Sequence, residues 1–119
     1  MGMKDIFCQI VAGEIPAQVV YETDNVLAFR DINPKAPVHV LIIPKKHIES
    51  LNEATDADMS LLGEILLVAG KVAELEGLGE KGYRLIANTG RDGGQLIPHF
   101  HFHLLGGKNL GPKLTTLEK

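Results

Sequence analysis

Residues 98–105 alternate imidazole and apolar side chains, in the order Pro98-His99-Phe100-His101-Phe102-His103-Leu104-Leu105. Strict alternation has the period of a β-strand, so we predict that the histidines face one side of the strand and the apolar residues the other. Side chains two residues apart on an extended strand lie roughly 6.5 to 7 Å from each other, which lets them contact one substrate together. Because a neutral imidazole can act as a nucleophile, a base or an acid near neutral pH, this row predicts catalysis.

Two other interpretations of the histidine row are weaker. Imidazoles bind zinc, but the sequence has no Cys-x-x-Cys pair, Asp92 is the single acidic residue near the row, and a third histidine on one flat strand would reach a tetrahedral ion only with strain. A solvent-facing strand would more commonly carry Lys, Glu or Thr than three histidines. We therefore expect nucleophilic catalysis without a metal ligand or a cofactor.

Composition restricts the class of protein. A chain of 119 residues with 45% hydrophobic residues is expected to form a single domain, which we place at residues 1–119. The net charge of -3 provides no broad basic surface, so nucleic acid is not an expected partner. No apolar run approaches the roughly 18 residues that span a bilayer, and a single cysteine, Cys8, is typical of a reducing compartment. These features predict a cytoplasmic protein that does not bind membranes.

A short helix and several short strands are predicted along the chain. Hydrophobic periodicity and turn formers indicate a helix over residues 4–11, strands over residues 18–22, 26–30, 38–43 and 83–87, and then the histidine strand. His39 interrupts strand 38–43, where a histidine is more often a half-buried hydrogen-bonding residue than a catalyst unless other histidines lie nearby. Lys45, Lys46 and His47 follow this strand and are expected to form a solvated turn without chemistry.

The longest predicted helix begins at a capping box formed by Thr55 and Asp58 and runs to about Glu76. Two stripes of apolar residues follow it. The first contains Leu62, Ile65, Leu66, Ala69, Val72 and Ala73, and the second contains Leu61, Val68 and Leu75. Because a helix in a small monomer usually buries a narrower face, the second stripe predicts contact with another copy of the chain, while a long loop crossing the helix is the alternative.

Residues 88–95 form a glycine-rich segment directly before the histidine row, Asn88-Thr89-Gly90-Arg91-Asp92-Gly93-Gly94-Gln95. Glycines allow neighbouring backbone amides to converge on an anion, and the Asn88 and Gln95 side chains can add donors. A phosphate-binding loop is therefore one interpretation. A simple hairpin connection is the other, because glycine-rich loops between strands are common.

A family resemblance covers nearly the whole chain. Gly93-Gly94-Gln95, followed by His99-Phe100-His101-Phe102-His103-Leu104-Leu105-Gly106-Gly107, resembles the signature of the histidine triad superfamily, His-φ-His-φ-His-φ-φ with φ apolar. Segments at residues 15–16, 28–32, 36–39, 43–48 and 82–84 are similar to the histidine triad nucleotide-binding branch. The resemblance implies an α+β fold with an antiparallel sheet of about five strands, one long and one short helix, and a homodimer with twofold symmetry.

The resemblance also implies an activity. Members of this branch hydrolyse purine nucleoside 5′-phosphoramidates and related adenylates, such as aminoacyl and lysyl adenylates, to the nucleoside monophosphate, AMP or GMP. By position, His101 would attack the α-phosphorus and form a nucleotidyl-histidine intermediate that water then hydrolyses. His39 and the backbone carbonyl of His99 would orient the nucleophile. His103 would act as the general acid and as a hydrogen-bond donor to the phosphate oxygens.

Substrate-binding residues follow from the same resemblance. Asn88 and the backbone amides of Gly94, Gln95 and Leu96 would stabilise charge on the nonbridging phosphate oxygens. Asp31 would accept hydrogen bonds from the ribose hydroxyls. The base would lie in an apolar slot bordered by Arg30 and formed by Phe7, Ile10, Phe29, Ile32 and Leu41, although an ordinary core would require the same apolar residues.

Two features depart from many animal members of the branch. Leu96 stands where they have a serine that could contact phosphate, and the chain has no tryptophan, which they have near the C-terminus. The leaving-group preference therefore does not follow from the resemblance. A dinucleoside polyphosphate hydrolase, which is the sister branch, and a nucleotide-binding regulatory protein with vestigial hydrolysis are the alternative functions.

Overall fold

Five antiparallel strands form the sheet that carries the histidines. The computed structural model describes residues 5–115. The strands are β1 (Val19–Glu22), β2 (Val26–Arg30), β3 (Val38–Pro44), β4 (Tyr83–Ala87) and β5 (Phe102–Gly106), in the spatial order β1-β2-β3-β5-β4. The helices of the described range are α1 (Ile6–Val11) and α2 (Met59–Leu75). These elements confirm the predicted α+β architecture with one short and one long helix.

Side chains of the central strands alternate between two apolar layers. One layer lies against α2 and includes Val26, Ala28, Val40 and Ile42. The other includes Phe7 of α1 together with Leu27, Phe29, Leu41 and Ile43. This period of two confirms the strands predicted over residues 26–30 and 38–43, and it puts His39 on the same face of β3 as Leu41.

The histidine segment is a strand only in its second half. β5 begins at Phe102, so the prediction of a strand across residues 98–105 is wrong for the first four residues. The backbone before Phe102 bonds to a loop instead of to a neighbouring strand, since the Phe100 N–H donates to the Ile48 carbonyl at 2.6 Å. This contact draws the segment away from the ladder.

The alternation of side chains along the histidine segment is confirmed. Phe100 and Leu104 are buried in the layer against α2. The His101 ring instead contacts Phe7 of α1, with ring centroids 5.1 Å apart. His103 lies directly opposite Leu41 in the β3–β5 register, and opposite residues of antiparallel strands share a face. The α1 side of the sheet therefore carries the histidines that are predicted to be catalytic.

α1 begins at Asp5, whose side chain caps the helix. Asp5 Oδ1 accepts a hydrogen bond from the Cys8 backbone N–H at 2.7 Å, as expected for an N-cap. The helix ends at Val11, and Gly13 follows in the left-handed region with φ of 78°. The predicted end of the helix at residue 11 is thus confirmed. Phe7 is the buried residue of α1 and attaches the helix to the sheet.

α2 follows the predicted capping box. The Thr55 hydroxyl accepts from the Ala57 backbone N–H at 3.2 Å, and the Asp58 carboxylate accepts from the Thr55 backbone N–H at 2.9 Å. The first turn after Thr55 is a 3-10 turn, so α2 proper begins at Met59 and has 17 residues. Across residues 5–115, neither helix combines the length and apolar content that crossing a bilayer requires.

The buried face of α2 differs from the predicted stripes. Ile65, Ala69, Val72 and Ala73 are buried, as the first stripe predicted. Leu66 of the same stripe is 51% exposed, whereas Val68 of the second stripe is only 2% exposed, within the core of its own chain. Assigning Val68 to a surface for a second copy was therefore wrong. Val68 lies three residues after Ile65 and four before Val72, which puts all three on one face of the helix.

Replacing Thr55 with alanine is expected to lower the free energy of unfolding by about 1 kcal/mol, because a first-turn amide loses its acceptor. Urea denaturation followed by circular dichroism measures the change. Thr55→Ser is the matched control, since it keeps the hydroxyl and should stay within about 0.5 kcal/mol of the wild type. Equal stability of Thr55→Ala and the wild type would contradict the role assigned to the cap.

Candidate active site

A cleft on the α1 side of the sheet contains the predicted site. Its volume is about 520 Å³, and its walls come from α1, the loop after β2, β3, β4 and the histidine segment. All the predicted site residues except His99 and Gln95 line this cleft. The fold therefore brings together side chains that are spread over most of the sequence.

His101 lies in the cleft with one ring nitrogen fixed by the backbone. Its Nδ1 is 2.7 Å from the His99 carbonyl oxygen, which can only accept, so Nδ1 carries the proton and Nε2 carries the lone pair. Burial lowers the pKa of His101, so the ring is neutral near neutral pH. The ring also packs edge-on against Phe7. A neutral imidazole held in this way is equipped to act as a nucleophile.

A chain of hydrogen bonds fixes the protons of His39 and His103. The Lys35 backbone N–H donates to His39 Nδ1 at 3.0 Å, so the proton of neutral His39 is on Nε2. His39 Nε2 donates in turn to His103 Nδ1 at 2.9 Å, which leaves the His103 proton on Nε2. Burial, followed by the charges of His101 and His39, lowers the pKa of His103 to about 4. Burial also lowers the pKa of His39, against the opposing effect of the Asp31 charge.

Asp31 begins the loop after β2 and faces the His39 ring. Its Oδ2 is 3.4 Å from His39 Nε2, and its Oδ1 accepts from the Asn33 backbone N–H at 2.7 Å. The turn of the loop thus holds the carboxylate at the cleft. A carboxylate has several lone pairs, so these two contacts still leave it able to accept from hydroxyl groups of a ligand.

The loop between β4 and β5 is closed by its own hydrogen bonds. Asn88 Nδ2 donates to the Gly93 carbonyl at 2.7 Å, and the Gly94 backbone N–H, predicted to face phosphate, donates to the Arg91 carbonyl at 3.1 Å. Gly93 has no room for a side chain, since a Cβ would lie 2.3 Å from the Thr89 carbonyl oxygen. The loop therefore forms a preorganised edge of the cleft, on which Asn88 keeps a second N–H donor.

Gln95 holds this loop in place and does not line the cleft. Its backbone N–H, also predicted to face phosphate, donates to the Gly90 carbonyl at 3.0 Å. Its side-chain Nε2 donates to the carbonyl oxygens of Glu49 and Ile97 at 2.7 and 2.9 Å. Leu96 is the neighbouring residue that reaches the cleft, and its side chain is 89% exposed.

Arg30 borders the cleft as predicted, but its guanidinium is paired with the carboxylate of Glu76. Both terminal nitrogens of the guanidinium bind the Glu76 carboxylate at 2.9 Å, in a bidentate pair. The pair joins the end of β2 to the residue that follows α2. Arg30 therefore fixes the loop that begins at Asp31 relative to the helix layer.

His99 lies behind the cleft, in a group of residues that the sequence analysis missed. Its ring is fully buried, and Nε2 donates to the Pro44 carbonyl at 2.8 Å. Its Nδ1 is 3.2 Å from Asp5 Oδ2 and 3.5 Å from Cys8 Sγ, while His47 Nδ1 is 2.9 Å from the same Asp5 oxygen. The spacing of Asp5 and Cys8, an N-cap residue and the third residue of the helix that follows it, was the available sequence signal.

The sheet, the short helix beside it and the converging imidazoles define an α+β protein with a histidine-based site. The family model described as the HIT domain matches residues 12–110. The chain belongs to the HIT domain family, which confirms the predicted resemblance.

Known members of this family match almost the whole chain. The purine nucleoside phosphoramidase of Escherichia coli strain K12 is 51% identical over 114 residues, which are 96% of either chain. A HIT family hydrolase from Clostridium thermocellum superposes with a TM-score of 0.93 at 48% identity, covering 97% of this chain and 100% of that chain. A HIT family hydrolase from Legionella pneumophila Philadelphia 1 gives a TM-score of 0.87 at 56% identity, covering 89% and 95%.

The lowered pKa values of the cleft histidines predict that stability depends on pH. Unfolded histidine has a pKa of about 6.5, whereas folded His103 has a pKa of about 4. Between these values the unfolded state binds more protons, so the free energy of unfolding is expected to fall as the pH drops from about 6.5 to about 4. Urea denaturation at a series of pH values measures this slope.

His103→Gln is the comparison for this measurement, because it removes the titrating ring and keeps a side chain that can hydrogen-bond. The slope of its unfolding free energy between about pH 5 and 6.5 should be shallower than that of the wild type. Identical slopes for the two proteins would contradict the lowered pKa of His103.

Proposed function

We propose that the chain hydrolyses purine nucleoside 5′-phosphoramidates and related adenylates, including aminoacyl and lysyl adenylates, to the nucleoside monophosphate. The His101 ring carries this proposal, since burial keeps it neutral and the His99 carbonyl holds its proton on Nδ1. The name of the 51% identical Escherichia coli relative, purine nucleoside phosphoramidase, supports the same substrate class. The chain is then a hydrolase of P–N bonds.

The first step transfers the nucleotidyl group to His101. Nε2 attacks the α-phosphorus, the P–N bond breaks, and the ring gains positive charge that the His99 carbonyl stabilises through Nδ1–H. The leaving amine takes a proton from Nε2 of His103. His103 enters this step protonated when substrate is bound, because an anionic phosphoryl group nearby raises an imidazole pKa. The added proton occupies Nδ1, so the hydrogen bond from His39 Nε2 is broken in this state, and it forms again when His103 leaves the step neutral.

The second step releases the monophosphate. Water attacks the phosphorus of the nucleotidyl-histidine, the P–N bond to His101 breaks, and neutral His103 takes a proton from the water. His101 returns to its neutral state, and His103 is protonated again for the next turnover. One water is consumed for each amine and each monophosphate released, and the two steps require no metal ligand and no cofactor.

Nucleoside recognition uses the rest of the cleft. Asp31 accepts hydrogen bonds from the ribose hydroxyls, because its carboxylate is fixed beside the catalytic imidazoles. A purine base lies in the apolar slot made by Phe7, Ile10, Phe29, Ile32 and Leu41, with Arg30 at its border. Asn88 and the backbone around Gly94 and Leu96 form the side of the cleft that faces the phosphate.

The compartment and the domain boundaries are part of the same proposal. Residues 1–119 act as one HIT domain, of which the family model matches residues 12–110. The activity belongs in the reducing cytoplasm, because the sequence has a single cysteine, Cys8, and therefore no intrachain disulfide.

The chain acts as a homodimer that forms through the exposed face of α2. Leu66, Leu67 and Leu75 are 51%, 71% and 63% exposed, an unusual amount of leucine for a solvated helix face. A twofold contact through this face would bury the same residues in both copies.

Leu67→Glu is expected to split this dimer, because two like charges would approach each other across a twofold contact. Light scattering at micromolar concentration should give about twice 12.9 kDa for the wild type and 12.9 kDa for the variant. Leu51→Glu makes the same change at a leucine that is 49% exposed but lies outside α2, so it should remain dimeric. A wild-type mass of 12.9 kDa would contradict the proposed assembly.

His101→Ala is expected to lower the turnover of an adenosine 5′-phosphoramidate by at least roughly 1,000-fold, because the covalent step loses its nucleophile. Affinity for AMP, measured by calorimetry, should change far less. His101→Asn serves as a second variant, since it can still donate to the His99 carbonyl but cannot attack phosphorus.

Diadenosine polyphosphate assayed beside the phosphoramidate separates the two hydrolase branches. The proposed function requires a higher kcat/KM on the phosphoramidate than on the diadenosine compound. Both His101 variants must lose the activity on the phosphoramidate. Turnover of the phosphoramidate near the wild-type rate in either variant would contradict the assignment of His101 as the nucleophile. A higher kcat/KM on the diadenosine compound would instead assign the chain to the sister branch.

A further inference from the structure

Lys35 is a cation of the cleft that the proposed reaction does not use. It lies in the loop between β2 and β3, lines the cleft and is exposed to solvent. The other permanently charged cation of the cleft, Arg30, is held in the bidentate pair with Glu76. The ion pairs among the described residues do not include Lys35, whose Nζ donates to the Asn33 carbonyl at 3.0 Å. Its ammonium therefore keeps its charge and two N–H donors for a ligand.

The backbone of Lys35 is fixed beside the catalytic histidines. Its N–H donates to His39 Nδ1 at 3.0 Å, and His39 Nε2 is 2.9 Å from His103 Nδ1. Lys35, His39 and His103 therefore follow one another along the cleft. Because the four-carbon stem of a lysine is flexible, the ammonium can move from the Asn33 carbonyl to a ligand bound beside these rings.

The charge of Lys35 acts on two of the three cleft histidines. Burial is the largest cause of the lowered pKa of His39 and of His103, and the positive charge of Lys35 lowers both further. Burial is also the largest cause of the lowered pKa of His101, but Lys35 is not among the charges that shift it. The ammonium thus lies on the side of the proposed acid, His103, and away from the nucleophile.

The leaving group of the proposed reaction departs on this same side. In an in-line displacement, the leaving nitrogen lies on the side of the phosphorus opposite to the attacking atom, which is His101 Nε2. His103 delivers the proton to that nitrogen, so the two must come within hydrogen-bond distance. A substituent on the nitrogen is then within reach of the Lys35 ammonium.

The chemistry of Lys35 favours an anionic substituent. An amino acid joined to phosphorus through its amine carries a carboxylate only a few bonds from the leaving nitrogen. An exposed ammonium can bind that carboxylate with little loss of hydration, since both groups keep access to water. The same ammonium repels a leaving group with a positive charge.

A purely structural role for Lys35 explains these contacts less well. Its loop also contains Asp31, whose charge an ammonium could neutralise. The Asp31 carboxylate, however, lies 3.4 Å from the His39 ring and accepts from the Asn33 backbone N–H at 2.7 Å. The contact of Lys35 Nζ with the Asn33 carbonyl adds little stability to the loop, because water replaces an exposed donor at low cost.

We propose that Lys35 is a specificity-determining residue that selects leaving groups with a carboxylate. The preferred substrates are then nucleotides joined by a P–N bond to the amine of an amino acid. This inference rests on the proposed function, since it names the leaving group of the same site. Water cleaves the P–N bond over the two steps, and the products are the nucleoside monophosphate and the free amino acid, whose nitrogen takes the proton from His103.

Three adenosine 5′-phosphoramidates that differ only in the end of the leaving group test the inference. The amine is β-alanine in the first, β-alaninamide in the second and a diamine of similar length in the third, so the far end is anionic, neutral or cationic. The readout is the ratio of kcat/KM on the anionic compound to kcat/KM on the neutral one. Comparing this ratio between variants cancels the different intrinsic reactivities of the P–N bonds.

Lys35→Gln should lower this ratio by roughly 5-fold, the size expected for a partly exposed ion pair, and should raise the corresponding ratio for the cationic compound. The variant keeps the backbone N–H that bonds to His39. Lys35→Arg keeps the charge and should retain the wild-type ratio within about 2-fold. Lys81→Gln removes the same charge from an exposed lysine outside the cleft, and it should also retain the ratio.

An unchanged ratio in Lys35→Gln would overturn the inference, because a lysine that only stabilised its loop or neutralised Asp31 would affect all three compounds alike. An equal fall in Lys81→Gln would overturn it as well, since the effect would then come from net charge. A wild type that hydrolyses none of the compounds would contradict the proposed function instead. Calorimetric affinities of the anionic and neutral compounds, compared between wild type and Lys35→Gln, would then decide the inference separately.

Discussion

The hydrogen bond from His101 Nδ1 to the His99 carbonyl, at 2.7 Å, is the contact on which the site depends. It fixes the tautomer of the nucleophile and leaves Nε2 as the reactive atom. In a regular antiparallel strand, a backbone carbonyl bonds either to the neighbouring strand or to solvent. Because the segment before Phe102 bonds instead to the loop at Ile48, the His99 carbonyl can turn towards a ring two residues further along the same chain.

Low polarity in the cleft keeps the imidazoles neutral. Burial is the largest cause of the lowered pKa of His39, His101 and His103, and for His39 it outweighs the opposing charge of Asp31. The His101 and His103 ring centroids are 4.9 Å apart. Two positive charges at this separation would repel by roughly 3 kcal/mol at an effective dielectric constant of about 20. The site therefore holds at most one of these two protons at a time, which divides the roles of nucleophile and acid between them.

Period-two alternation made much of the fold and the cleft predictable from the sequence. Leu41 shares a face with His39 because side chains two apart on a strand point to the same side, and Phe29 joins the same layer because it lies opposite Leu41 in the β2–β3 register. The capping box at Thr55 marked the start of the α2 region. The departure of residues 98–101 from the ladder was not predictable, since it arises from a contact with Ile48, about fifty residues away. The burial of Val68 in the core of its own chain was not predicted, because the pattern of apolar residues around a helix does not show which side of the helix packs against the sheet.

α1 shows how a weak local element is placed by distant residues. A helix of six residues is not stable alone in water, because the nucleation cost exceeds what so few hydrogen bonds return. Asp5 caps it, and the same carboxylate contacts His47 and His99. Phe7, two residues after Asp5, then packs edge-on against His101. His99 therefore acts on the nucleophile twice: its carbonyl orients the His101 ring directly, and its imidazole holds the helix whose Phe7 side chain forms the wall behind that ring.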